Sequence, residues 1–161
     1  VAVRLLGIRE YCAAELRHKL QDKGFAEEDI DSVLKQLGDA GYLSEHRFAE
    51  SFLRARMRKG ETPRVAAYRA RQRGVDDEAL SEALQKAEAT FDAEEACRSL
   101  LVRRDPQRLR CHDERTWQRH ARFLRNKGFS AATVLRVMNE QPETGEQNNW
   151  NEDIHEDIGN S

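Results

Sequence analysis

The sequence has little that would serve catalysis, metal binding or membrane insertion. Cys12, Cys97 and Cys111 are its only cysteines in 161 residues. An odd, sparse set of thiols and the lack of a signal-peptide pattern argue against a disulfide framework and lead us to expect a reducing cytoplasm. Aromatic residues make up 7% and hydrophobic residues 39% of the chain, below the roughly 45–50% apolar content of an average globular domain. The core is therefore expected to be thin or elongated, which disfavours an enzyme with a deep pocket. Uninterrupted aliphatic runs stop at triplets such as Leu100, Leu101 and Val102, far short of the roughly 20 residues of a membrane span, and no membrane partner is expected. Phosphate loops, dinucleotide fingerprints, nucleophile elbows, zinc helices and paired-cysteine motifs do not occur. Neither a cofactor nor catalysis is expected. Cys97, Cys111, His112 and His120 come nearest to a metal set, but their spacing and Arg-rich surroundings do not suit a cation. Glu27, Glu28 and Asp29 read as acids stabilised by the positive end of a helix dipole.

Charge is abundant, nearly balanced and strongly segregated. The net charge is -2, yet residues 47–74 hold nine Lys and Arg against two acids, and residues 98–127 hold ten against three. Between them, residues 75–97 hold eight acids against one lysine. The end of the chain, residues 143–161, has six acids and no Lys or Arg. Two Arg-rich blocks are the footprint of a surface for a polyanion or an acidic protein, because the guanidinium fork matches phosphate and carboxylate oxygens.

The hydrophobic period is 3.6 almost throughout and β-branched residues are few, so the chain reads as all-α. All three prolines fall at breaks: Pro63, Pro106 and Pro142. Gly24, Gly60, Gly74 and Gly128 each follow a basic residue, the pattern of a left-handed glycine closing a helix. Ser44, Thr62, Asp113 and Ser130 read as N-caps, with Pro63 at the favoured first helical position. Aligning Gly24, Gly74 and Gly128 exposes an internal repeat. Four residues before each glycine stands Leu20, Ala70 or Leu124; six after it comes Ile30, Leu80 or Val134; ten after it comes Leu34, Leu84 or Met138. Each repeat thus holds two helices packed across a turn with a third before them. The predicted architecture is an elongated tandem array of three three-helix repeats, residues 1–43, 44–90 and 91–141. Residues 142–161 are predicted to be a disordered acidic tail.

Helical spacing gathers the basic residues into stripes. Arg47, Arg54 and Arg58 lie opposite Phe48, Ala49, Phe52 and Leu53; Arg64, Tyr68 and Arg71 form a second stripe; Arg115, Arg119 and Arg122 form a third. Tyr68 either stacks on an exposed base or packs as a half-buried structural ring. Arg56 falls within the apolar arc of its helix, so we expect a structural ion pair with an acid of a neighbouring helix.

One run is distinctive: Arg4-Leu5-Leu6, Glu15-Leu16, Lys19-Leu20, Lys23-Gly24-Phe25, Gly41-Tyr42-Leu43, Arg47-Phe48-Ala49, Arg56 and Lys59-Gly60. With Arg73-Gly74-Val75, Arg125 and Lys127-Gly128-Phe129, it resembles the RecX family of recombinase regulators over nearly all of residues 1–141. The resemblance implies a bacterial, cytoplasmic, non-enzymatic protein of about nine helices. Such a protein binds the RecA recombinase and its filament on single-stranded DNA, binds double-stranded DNA more weakly, and acts as a monomer. It would depress ATP hydrolysis, strand exchange and co-protease activity. The DNA- and filament-binding residues expected from the basic stripes and blocks of this sequence are Arg47, Arg54, Arg58, Lys59, Arg64, Tyr68, Arg71, Arg115, Arg119, Arg122, Arg125 and Lys127. The residues alone leave two other readings open, a helical-repeat repressor of duplex DNA and a protein-interaction adaptor. Two positions depart from the family pattern. Cys12 stands where Ser is common, which questions a helix cap, and Ala70 stands where Leu is common, which thins the middle core.

Overall fold

Helices in three successive groups account for nearly all the regular structure in the computed structural model, which describes residues 1–141; the expected acidic tail lies outside the described residues. The first group is α1 (Ala2–Leu6), α2 (Ala13–Asp22) and α3 (Glu27–Asp39). The second is α4 (Glu45–Arg58), α5 (Pro63–Gln72) and α6 (Asp77–Ala89). The third is α7 (Ala93–Arg104), α8 (Glu114–Asn126) and α9 (Ala131–Met138), with a 3₁₀ turn at Leu109–Cys111 before α8. No strand occurs among the described residues.

Each group buries its own apolar cluster. Leu16, Leu20, Ile30, Leu34 and Leu37 form the first; Phe48, Leu53, Ala66, Ala70, Val75 and Leu80 anchor the second; Cys97, Leu101, Leu124, Phe129, Val134 and Val137 anchor the third. The more extensive helix–helix packing falls inside the groups, and no hydrogen bond or ion pair among the described residues joins the first group to the third. That is the arrangement of a tandem array, in which each repeat touches only its neighbours. The repeat is imperfect in the first group. Phe25 is 45% exposed, whereas its equivalents Val75 and Phe129 are buried, and Val33 is also open to solvent.

The helix ends follow the local chemistry. Ser44, Thr62, Asp113 and Ser130 accept hydrogen bonds from the backbone N–H groups of Arg47, Val65, Thr116 and Thr133. Asp76 and Asp92 do the same for α6 and α7. Glycine is needed most at two junctions between groups. Gly74 has φ +81°, and a Cβ there would lie 2.8 Å from Ala14 Cβ; Gly128 has φ +107°, and a Cβ would lie 2.2 Å from Thr62 Oγ1. Both positions require a left-handed backbone and an absent side chain at once.

The junction of the first and second groups explains Cys12. It is the N-cap residue of α2 but makes no side-chain cap. Its buried thiol instead donates to the Arg73 carbonyl at 3.4 Å. The exposed end of α2 is satisfied from the next group: Glu45, at the start of α4, accepts from the Ala13 N–H at 2.6 Å and from the Asp76 N–H at 2.8 Å. One carboxylate thereby ties together three helix starts, where the dipoles favour a negative charge. Glu15 adds an ion pair to Arg73 at 2.7 Å across the same junction.

The expected thinning at Ala70 takes a specific form. Ala70 is fully buried with Ala49, Ala66, Ala67 and Ala83, so small residues let α4, α5 and α6 approach closely where larger side chains would hold them apart.

Candidate functional site

Helices α4, α5 and α8 carry the predicted basic stripes, each because its opposite face is consumed by the core. In α4, Phe48, Ala49 and Leu53 are buried, and the same periodicity turns Arg47, Arg54 and Arg58 outward. In α8, His120 and Leu124 are buried while Arg115, Arg119, Arg122 and Arg125 are exposed.

The twelve predicted residues separate by what they touch. Arg47 is committed to structure: its Nε reaches Glu10 at 3.0 Å, and its Nη2 donates to the carbonyls of Gly41 at 2.8 Å and Tyr42 at 3.2 Å, closing the end of α3. Arg64 pairs with Glu88 at 2.8 Å, and Arg71 lies 3.8 Å from Asp77. Arg125 donates to the Phe129 carbonyl at 2.8 Å, bracing the turn after α8. By contrast Arg54, Arg58, Arg115 and Arg122 make no ion pair among the described residues, and Arg119 makes only a 3.4 Å hydrogen bond to Thr116 Oγ1. Tyr68 is 61% exposed, which places its ring on the surface rather than half inside.

Two of these sets are brought together by folding. Lys127 Nζ donates to the Lys59 carbonyl at 3.4 Å, and the Thr62 N–H donates to the Lys127 carbonyl at 2.9 Å, so the second and third groups meet with two lysines side by side. Lys127 also lies over the Phe123 ring at 5.5 Å, and the Arg104 guanidinium lies over the same ring at 3.8 Å. Arg54 and Arg58 join Lys86 around a groove of about 570 Å³ between α4 and α6, floored by Leu53, Met57, Ala83 and Ala87. Arg104 and Lys86 belong to none of the stripes that helical spacing predicts. Arg104 escapes because its partner ring belongs to another helix, and Lys86 because it is the lone cation of an acidic block.

Arg56 is structural, as expected, but its partner is not on a neighbouring helix. Glu61, in the turn between α4 and α5, accepts from Arg56 Nε at 2.8 Å and Nη2 at 2.5 Å, and from Arg69 Nε at 2.8 Å. The Glu61 side chain is only 3% exposed. Burial pushes its carboxyl up, but the Arg56 hydrogen bond and the charges of Arg56, Arg69 and Lys127 outweigh burial and hold it below the ordinary value. The turn supplies the partner because the chain reverses five residues after Arg56, a short-range closure that helical periodicity does not show.

A second buried pair removes another arginine from the surface inventory. Arg110 Nη1 donates to Asp105 at 3.0 Å, with both side chains nearly excluded from water. His120 lies buried close by; burial lowers its pKa, and the positive charges of Arg104, Arg119 and Arg110 act in the same direction against the pull of Asp105. The basic block 98–127 is thus partly interior. Among the described residues no group of three or more His, Cys, Asp or Glu is placed to hold a metal ion, and no helix is long and apolar enough to cross a membrane.

The arrangement suits binding of anionic surfaces spread along an array of helices. Comparison with known proteins identifies the family that shares this array of helices. Residues 1–37 match the domain described as RecX, first three-helix domain, and residues 44–84 match RecX, second three-helix domain. A protein named regulatory protein RecX from Halorhodospira halophila is 38% identical over 133 residues, covering 83% of this chain and 81% of the relative. The protein of that name from Chromohalobacter salexigens is also 38% identical, over 138 residues, covering 85% and 88%. The crystal structure of RecX from Lactobacillus salivarius superimposes with a TM-score of 0.67 at 21% identity, over 85% of this chain and 89% of that one. A second crystal structure of a regulatory protein RecX gives a TM-score of 0.66 at 20% identity, over 85% and 68%. With two family domains matched and relatives of this identity aligned over more than four-fifths of its length, the chain belongs to the RecX family of regulatory proteins.

Proposed function

We propose that this chain binds the RecA recombinase and its filament on single-stranded DNA and inhibits ATP hydrolysis, strand exchange and co-protease activity. The observation that carries the reading is the set of exposed arginines on α4 and α8, Arg54, Arg58, Arg115, Arg119 and Arg122, which are unpaired with acids among the described residues in a chain of a regulatory family. Exposed guanidinium groups left without acid partners are available to phosphates and to carboxylates of a protein surface.

In this reading the units 1–43, 44–90 and 91–141 lie along the filament as a monomer in the cytoplasm. Arginines of the second and third units bridge neighbouring recombinase subunits and DNA phosphates, and so resist the subunit rearrangement that accompanies nucleotide turnover. Lys59 and Lys127 at their junction, with Tyr68 and Arg71 nearby in sequence, extend the same surface, and Arg64 and Arg125 support it through Glu88 and the turn after α8. Arg47 contributes by holding α4 in place. Double-stranded DNA binds more weakly, and the protein supplies no chemistry of its own.

The test is DNA-stimulated ATP hydrolysis by the matching recombinase on single-stranded DNA, with this protein added well below one copy per recombinase subunit. Strong inhibition is expected. No effect at excess, with both proteins folded, would overturn the reading.

A further inference from the structure

The groove between α4 and α6 differs in chemistry from the other basic faces. Its floor is apolar, made by Leu53, Met57, Ala83 and Ala87, and its rim carries Arg54, Arg58 and Lys86 with a single acid, Glu50. Lys86 is paired with Glu50 at 2.8 Å, whereas Arg54 and Arg58 have no acid partner among the described residues. A bare phosphate backbone makes use of the rim but not of the floor. The occupant that uses both is a segment combining apolar anchors with carboxylates.

Such a segment is present in this chain. Residues 143–161 contain six acids and no Lys or Arg. Within them Trp150, Ile154 and Ile158 recur at four-residue intervals, interleaved with Glu152, Asp153, Glu156 and Asp157. The segment therefore combines apolar anchors and carboxylates within nine residues. We propose that this segment docks in the α4–α6 groove, with Trp150, Ile154 and Ile158 on the apolar floor and the interleaved acids against Arg54 and Arg58.

Two other grooves fit it less well. The groove of about 530 Å³ beside Arg98, Arg108 and Arg110 has its cations already engaged by Glu95 and Glu140, by the Glu140 carbonyl and by Asp105. The apolar groove of about 210 Å³ at Phe25 and Val33 is lined by Asp29 and by no Lys or Arg, so it offers the carboxylates of an acidic segment no partner.

The reach is sufficient. Thr90, at one end of the groove, precedes Arg98 by eight residues, six of them in the helix that starts at Ala93. The two residues are therefore about 20 Å apart at most. Arg98 holds Glu140 directly at 2.6 Å. From Gln141 the nine residues to Trp150 span up to about 30 Å.

Docking of this kind covers two arginines of the binding surface proposed above, so the consequence for recombinase or DNA rests on that reading; the docking itself does not. Acrylamide quenching of Trp150 in the full chain, taken as the difference between the protein and its Trp150→Phe variant, needs neither partner. At low salt Trp150 should be quenched several-fold less than in a free peptide of residues 143–161, and Arg54→Glu with Arg58→Glu should abolish the protection. High salt should weaken it. Unaltered protection in Arg115→Ala/Arg119→Ala/Arg122→Ala would support the groove over α8. Peptide-like quenching at low salt would overturn the proposal, as would protection indifferent to Arg54→Glu/Arg58→Glu. Protection that disappears on dilution would assign the groove to a second copy's segment and also overturn it.

Discussion

Replacing Glu61 with Gln perturbs the charge cluster built around one buried carboxylate at the α4–α5 turn. The carboxylate serves Arg56 and Arg69 together, and its side chain is 3% exposed. Removing one partner of a fully buried pair costs about 3–5 kcal/mol, because the other charge is left unpaired. Here the Arg56 and Arg69 side chains are 28% and 47% exposed, so water recovers part of the loss and about 2 kcal/mol is expected. For a chain of this size that lowers Tm by about 4–8 °C. The effect carries a pH signature. The folded Glu61 carboxyl lies below its ordinary value of 4.5, so its stabilising contribution is complete above that value and is lost as pH falls through the depressed folded one. The assay is urea denaturation of the protein and of Glu61→Gln at neutral pH and at successively lower pH, with Arg56→Met and the double variant completing a cycle. The difference between the two proteins should shrink as the wild-type carboxylate protonates. A loss below about 0.5 kcal/mol at neutral pH, the level of an ordinary surface change, or a loss independent of pH, would refute the reasoning.

Other consequences can be checked alongside it. Arg54→Ala, Arg58→Ala, Arg119→Ala and Arg122→Ala together should weaken inhibition of the recombinase while helicity by circular dichroism is unchanged; undiminished inhibition would remove these stripes from the site. If phosphates are among the targets, affinity for single-stranded DNA should fall by about 0.7 log unit per log unit of salt for each contact, and a salt-independent affinity would contradict this. Gly128→Ala should destabilise the protein more than Gly24→Ala in urea unfolding, by about 1 kcal/mol or more beyond the shared penalty of a left-handed alanine, since only Gly128 faces Thr62 and Val65 within contact distance. In native alkylation at mildly alkaline pH, Cys111 should react alone: Cys12 and Cys97 are buried, and burial pushes the Cys97 thiol up to about 11.

Sequence alone determined the helical content, the repeat and the polarity of most helices, because those properties are local. A 3.6-residue period, glycine behind a cation and Ser, Thr or Asp before an apolar run act within a few residues, and Ser44, Thr62, Asp113 and Ser130 all cap as their positions dictate. The outward Arg54, Arg58, Arg115, Arg119 and Arg122 follow from the same period. Tertiary structure decided which charges remain available, because a charge is neutralised by neighbours distant in sequence. Arg47 is taken by Glu10 and two carbonyls, Arg64 by Glu88, and Arg110 by a buried Asp105. It also decided the joints. Glu45 caps helices from two groups, Cys12 bonds a carbonyl 61 residues away, and Gly74 and Gly128 are tight against Ala14 and Thr62. None of these has a periodic signature, since each depends on how one rigid group of helices is seated on the next.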